Sequence, residues 1–366
     1  MNNVVKWIII SVLAILAIVA IVFVGVYFSR FQTMSTIGKI TNYSDYNLYR
    51  MDVKYDYDID DVIDYGIEDT QSFSDAIVKE AFPLLPIKME VPDFGCSAFS
   101  IKDTDNDVLM GRNYDFSRNT SSMLVYCTPK NGYKSVAFAA LDNISANDAD
   151  SSLKTKFACL TAPFVCLDGM NEKGVSIAVL TLDSEPTRQD TDKQGIATSL
   201  AIRLVLDKAA TTQEAVDLLK QYDMIASSGR DYHFYINDAS GDGRVIEYDC
   251  ESETRELVAT PVRTVTNFFE IYKDKVLPNQ KNGIYGHGKD RYDKIEAVFD
   301  KNNGTFTKNT AWEALEAASQ LPKDGDVTSN TQWSIVYDNT TLTADVVIRR
   351  DWDTKTSYDL NTNTVK

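Results

Sequence analysis

The sequence predicts an α+β fold in which β-sheets stack face to face with helices outside, behind one N-terminal transmembrane helix. Three observations predict it. Residues 7–29, WIIISVLAILAIVAIVFVGVYFS, hold no charge between Lys6 and Arg30. From Cys96 onward short strand-like runs recur: CSAFSI, VLMGRNYDF, SMLVYCT, SVAFAAL and GVSIAVLTL. Two amphipathic helices, TSLAIRLVLDKA (198–209) and TTQEAVDLLKQY (211–222), interrupt the runs before strands resume in YHFYIND and GRVIEYD.

Residues 1–6 form a short tail. At about 1.5 Å per residue, the run 7–29 crosses a bilayer core of about 30 Å. A secretory signal has an apolar stretch of only about 7–15 residues and an A-x-A-like cleavage site. Here the run is longer and no such site follows cleanly, so an uncleaved single-pass anchor is expected. The strongly acidic stretch beyond it favours an extracytoplasmic bulk, although Lys6 on one side faces Arg30 and Lys39 on the other. Residues 30–95 read as linker and propeptide. Within them, 51–70 sets eight acids against one lysine, with Val, Tyr and Ile alternating between the acids, which suits an edge strand or a solvated tether. SFSDAIVKEAF (72–82) reads as a capped helix, and prolines at 83, 86 and 92 then break the chain into extended pieces. A single domain is expected over 96–366.

Within that domain KDTDND joins the first two strand runs. It opens like a calcium loop, D-x-D-x-D, but Val108 stands where glycine is needed and Tyr114 where the bidentate glutamate belongs, so it is a polar hairpin turn. Thr211-x-x-Glu214 is a capping box that opens the second helix. ASGDG between YHFYIND and GRVIEYD marks another hairpin.

Composition narrows the function. With 44% hydrophobic and 25% charged residues the chain is globular, and a net charge of −16 argues against nucleic acid as a partner. The two histidines, His233 and His287, suggest no metal site, and no cofactor is implied. Five cysteines at 96, 127, 159, 166 and 250, an odd number without CxxC spacing, suit a thiol with a chemical role better than a disulfide framework. Gly95-Cys96 stands out, just ahead of an alternating apolar run. A thiol with a pKa near ~8.5 needs a base. His233 or His287 could supply one if the fold brought it near. Cleavage of the Gly95-Cys96 bond would instead free an α-amine with a pKa of roughly 7.7–8.0, a base on the nucleophile itself.

From Cys96 the sequence resembles the mature chains of the choloylglycine hydrolase family, N-terminal-nucleophile amidases that include bile salt hydrolases and penicillin V acylases. The resemblance runs over about 96–340. Its blocks are Cys96 with GRNYDF, LDGMNEKGVSIAVL (167–180), TVTNFF (264–269), GKDRYDK (288–294) and TQWSIVYD (331–338), in order. It implies an αββα four-layer sandwich, autoprocessing before Cys96, and hydrolysis of a linear amide C–N bond through a thioester. Cys96 would supply sulfur and amine, and Asp115 would orient the amine. Arg112 would favour thiolate, Asn267 would donate its side-chain N–H to the oxyanion, and Arg291 would be a second active-site arginine. Thr181 would give a backbone N–H to the same oxyanion; bile salt hydrolases carry asparagine there and penicillin acylases tyrosine, which leaves the substrate's identity open. The partners implied are a small-molecule amide and the membrane, with a homo-oligomer left open. Alternatives are acyl transfer through the same thioester, or a surface-tethered binding module that never frees Cys96.

Overall fold

A computed structural model of the chain describes residues 3–83, 95–227, 229–326 and 328–366. The chain opens with helix α1 (Asn3–Ser35), strands β1 (Gly38–Lys39) and β2 (Leu48–Asp52), and helices α2 (Ile59–Ile63) and α3 (Thr70–Ala81). Next come β3 (Gly95–Lys102), β4 (Val108–Asp115), β5 (Ser122–Cys127), β6 (Ser135–Ala140), the short α4 (Leu153–Ala158), β7 (Cys166–Asn171) and β8 (Ser176–Leu182). The middle holds β9 (Gly195–Ala197), α5 (Thr198–Lys208), α6 (Thr212–Leu219), β10 (Asp223–Ile225), β11 (Asp231–Asn237), β12 (Gly243–Tyr248), β13 (Leu257–Pro261) and β14 (Thr264–Val265). The chain ends through α7 (Lys289–Lys301), α8 (Lys308–Ala318), β15 (Thr331–Asp338), β16 (Thr343–Ile348), β17 (Thr356–Asp359) and β18 (Thr364–Val365).

Among the described residues the strands build two large sheets. One runs β1-β2-β5-β6-β7-β8-β11-β12-β13, the other β14-β3-β4-β15-β16-β17-β18, while β9 and β10 pair apart from both. The large sheets face each other where β3 meets β8 and β11; α5 and α6 pack on the first sheet, α7 and α8 on the second. Those are the four layers of an αββα sandwich.

The hairpin β3-β4 shows how sequence period selects the faces. Successive strand side chains point to opposite faces. Cys96, Ala98, Met110 and Tyr114 join the core between the sheets, whereas Phe99, Ile101 and Leu109 join a second core under α7 and α8. Gly111 sits opposite Phe99, and a Cβ there would lie 2.2 Å from the Phe99 ring, so only glycine leaves the ring its place. The turn between the strands uses Asp103 to accept the Asp105 and Asp107 amides, with Asn106 left-handed at φ 68°. At α6 the Thr211 side chain caps the Glu214 amide, but the Glu214 carboxylate reaches back to Ala210 and not to Thr211, half of the expected box.

The largest departure from expectation lies before Cys96. The apolar helix does not stop at Ser29. It continues to Ser35, and its last turns bury Tyr27, Thr33 and Met34. Residues 38–83 are not a solvated linker. β2 pairs in parallel with β5, from Leu48 opposite Ser122 to Asp52 opposite Tyr126, and is a working strand of the first sheet. Tyr49, Met51, Phe73 and Ile77 are fully buried in the main core, where each such side chain stabilises by about 1.5–3 kcal/mol. Helix α3 starts at Thr70, two residues earlier than the spacing suggests, with Asp69 and Ser72 in a reciprocal capping box. Pro86, Pro92 and the rest of 84–94 lie outside the described residues.

Candidate active site

Cys96 is the second residue of β3, fully buried between the sheets. Arg112 lies diagonally across the hairpin on the same face, because Cys96 pairs with Tyr114 and Ala98 with Arg112. Its guanidinium reaches into the opposite sheet, where Nη2 donates to the carbonyls of Leu167 (3.4 Å) and Val179 (3.2 Å). Those carbonyls belong to β7 and β8, whose ladder ends at the Asp168–Ala178 pair. Arg112 therefore stands where the two strands part. Its Nε lies 2.7 Å from Asp168, whose carboxylate also accepts from Tyr337 (2.5 Å) and Trp333 (3.2 Å). Nη1 has no hydrogen-bond partner among the described residues, and the charge of the guanidinium acts on the Cys96 thiol.

The parting of β7 and β8 also leaves the edge of β8 at Thr181 unpaired with β7, although Thr181 itself is buried. Its carbonyl accepts from Asn267 Nδ2 at 2.8 Å. In an antiparallel strand a residue's N–H and C=O leave by the same edge, so the Thr181 N–H faces the same opening, beyond the end of the β7 ladder. Asn267 follows β14. Its Oδ1 accepts from the Cys96 backbone N–H (3.4 Å) and from Arg291 Nη2 (2.6 Å). Arg291, in the first turn of α7, gives Nη1 to the Cys96 carbonyl at 2.8 Å and lies 3.5 Å from Asp115 Oδ2. This contact fixes the entry to α7. Gly288 before it has φ 88°, and a Cβ there would sit 2.6 Å from the Arg291 guanidinium.

Asp115 ends β4, paired with Gly95, and so flanks the Gly95-Cys96 bond. It accepts from Thr331 Oγ1 (2.6 Å) and Gln320 Nε2 (3.1 Å). A bulge in β15 at Gln332 shifts the frame by one residue, so that Thr331 meets Asp115 while Trp333 meets Tyr114. Burial pushes the Asp115 and Asp168 carboxyls up, against the pull of Arg291 and Arg112 respectively.

All six residues expected from the sequence, Cys96, Arg112, Asp115, Thr181, Asn267 and Arg291, thus meet at one place. Arg112 pulls toward thiolate, as expected, while burial outweighs it and pushes the Cys96 thiol up to about 12. Neither histidine shares a hydrogen bond with Cys96 among the described residues. His233 is held between Glu247 (3.2 Å) and the Thr266 carbonyl (2.9 Å), and His287 between Asp183 (2.7 Å) and Thr328 (3.1 Å). Sequence reasoning missed Asp168, Gln320 and Thr331. Asp168 had a signal: a lone acid inside the apolar strand CLDGMN calls for a buried cation. The other two sit in polar stretches with no distinguishing pattern.

Residues 96–267 match the model of the linear amide C–N hydrolases, choloylglycine hydrolase family. That segment, a little under half of the chain, is similar to the family. A penicillin V acylase from Pectobacterium atrosepticum is 36% identical over 92 residues, which are 22% of this chain and 24% of that protein. The match thus spans about a quarter of that curated relative. Two solved structures share the fold over most of their length. The penicillin V acylase of Agrobacterium tumefaciens matches with a TM-score of 0.52 at 18% identity, over 73% of this chain and 86% of that one. A variant of the conjugated bile acid hydrolase of Clostridium perfringens matches with a TM-score of 0.54 at 15% identity, over 74% and 96%. At these identities the likeness is one of fold. Within the matched segment lie Cys96, Arg112, Asp115, Thr181 and Asn267, with Arg291 beyond it.

Proposed function

We propose that the chain is a membrane-anchored cysteine amidase that cuts its own Gly95-Cys96 bond and then hydrolyses a linear amide C–N bond through a thioester. The observation that carries this reading is the bridge made by Arg291. One guanidinium holds the Cys96 carbonyl and the Asn267 carboxamide and lies beside Asp115, while Asn267 holds Thr181. Four segments far apart in sequence converge on one buried thiol. A scaffold that only binds has no need of that polar set around a sulfur.

Maturation begins with the Cys96 sulfur adding to the Gly95 carbonyl; the peptide C–N bond breaks, and a proton passes to the freed nitrogen. Water then cleaves the Gly95 thioester, leaving a carboxylate at Gly95 and thiol and α-amine on Cys96. In turnover that amine, oriented by Asp115, takes the thiol proton as sulfur attacks the substrate carbonyl. The tetrahedral oxyanion accepts from Asn267 Nδ2–H and the Thr181 backbone N–H. The α-ammonium returns its proton to the leaving nitrogen as the C–N bond breaks. A water molecule, deprotonated by the same amine, attacks the thioester and regenerates the thiol. In this reading helix α1, whose described span Val5–Ser35 is long and apolar enough to cross a bilayer, is the anchor, and residues from 96 onward lie outside the cytoplasm.

Sequencing the N-terminus of the catalytic chain of active protein should read Cys-Ser-Ala-Phe, and Cys96→Ala should stay uncut. Full activity with residues 1–95 still covalently attached would overturn the proposal. In matured protein Asn267→Ala should lower kcat by about 10²–10³ on any amide turned over, because its donor meets charge that exists only in the transition state.

A further inference from the structure

We infer that the segment before Cys96 remains part of the enzyme after the cut, as a non-covalent subunit that keeps the catalytic chain on the membrane. The inference rests on the cleavage proposed above and concerns what cleavage does not release.

The contact between the two parts has the make-up of a domain core cut in half. β2 shares a backbone ladder with β5, and the Val53 amide extends it to the Tyr126 carbonyl. Without β2, β5 would become the unpaired edge strand of the first sheet. Side chains then cross the divide into places where a donor is needed. Tyr55 gives its hydroxyl to the Leu160 carbonyl at 2.6 Å. Tyr57 gives its hydroxyl to Asp207 at 3.2 Å and lays its ring edge-on to Phe164, centroids 5.2 Å apart. Asp207 is buried with Arg203, so removing Tyr57 would take a hydrogen bond from a carboxylate that water cannot reach. The fit has been made from both sides. The Ile67 carbonyl comes so close to Gly195 that a Cβ on Gly195 would lie 2.0 Å from it.

The same segment is fastened to the membrane helix. Arg30 is buried, and its guanidinium donates to the carbonyls of Val26 (2.9 Å), Glu80 (2.7 Å) and Ala81 (2.8 Å). Tyr27 donates to the Pro83 carbonyl at 2.7 Å. Phe31 and Phe82 both pack on Phe157 of α4. The anchor is thus joined to α3, α3 lies in the core with β2, and β2 is joined to the catalytic sheet. Breaking the chain before Cys96 severs none of these contacts.

Two experiments decide the matter. Full-length protein carrying a C-terminal tag is matured in membranes, and its fractions are run on a denaturing gel. Two chains should appear, both in the membrane fraction, and tag capture in mild detergent should recover them in equal amounts until urea separates them. A cut catalytic chain in the soluble fraction, free of residues 1–95, would overturn the inference. In the second, a Cys96→Ala chain with a protease site inserted between Pro83 and Gly95 is cut by the added protease. The two pieces should co-elute, and their separation would overturn the inference. Should the first experiment yield only one uncut chain, the maturation reading fails, and the second still decides whether the two parts hold together.

Discussion

Two buried cysteines of this molecule sit in nearly the same electrostatic setting. Cys96 has Arg112 and Asp168 beside it, Cys127 has Arg203 and Asp207, and each arginine lies 2.7 Å from its aspartate with no solvent reaching either pair. Burial pushes the first thiol up to about 12 and the second up to about 11, while the arginine pulls each one down. By charge alone the two are hard to tell apart. The difference is in what holds the surrounding backbone. Around Cys96 the carbonyl is gripped by Arg291 and the amide by Asn267, at a strand pair that has been opened. Cys127 closes an ordinary strand, paired with Ser135, and its neighbour Tyr57 comes from the segment expected to be a propeptide. The nucleophile is marked here by side chains that hold its own backbone carbonyl and amide, more than by a cation near sulfur.

That comparison can be broken most directly by removing each sulfur. Cys96→Ala should abolish amide turnover and leave the chain uncut, whereas Cys127→Ala should mature and turn over substrate. Loss of turnover in a folded, matured Cys127→Ala protein would show that the two settings are functionally alike. Next in size come the ion pairs. Arg112→Met and Arg203→Met should each destabilise by about 3–5 kcal/mol in urea titrations, since each leaves an aspartate buried without its cation. Replacing the aspartate as well should restore stability at both places. Arg203→Met/Asp207→Leu should then keep activity, and Arg112→Met/Asp168→Leu should not. Equal activity in the two double variants would remove Arg112 from the site.

The smallest effect is one of pH. A thiol raised to about 11 is neutral in the folded state, so its contribution to stability is complete below its ordinary value near 9 and is lost as the pH climbs through 11. The urea midpoint should fall between pH 9 and 11, and Cys127→Ala should flatten part of that fall. At pH 8 iodoacetamide should label Cys96 of the cut enzyme and leave Cys127 unmodified, as read by peptide mass. Labelling of both at similar rates would contradict the assignment of Cys96 as the activated sulfur.

Much of this was legible beforehand where pattern and packing coincide. The runs around β3, β4, β8 and β11 alternate or are continuously apolar, and each lies in a sheet covered on both faces. The stretch 51–70 shows where pattern stops informing. Val53, Tyr55, Tyr57 and Ile59 alternate with Lys54, Asp56 and Asp58, and in the structure the first set is buried while the second is wholly or partly exposed. The alternation is real, but residues 54–57 join no ladder, and periodicity cannot say against which surface a face will close. The partners of Asp115 were hidden for a similar reason. Thr331 reaches it only because the bulge at Gln332 turns the strand by one residue, and a bulge leaves no mark in composition.

Helix α1 runs unbroken for 33 residues, about 50 Å, and its last turns are part of the folded body. Seated in a bilayer whose apolar core is about 30 Å thick, it would act as a stalk and not as a leash. A leash lets a catalyst roam a hemisphere above its attachment point. A stalk restricts it to a fixed height and a fixed tilt, free mainly to spin and to drift sideways. The range of amides it meets would then depend on how far from the lipid surface their scissile bond is carried.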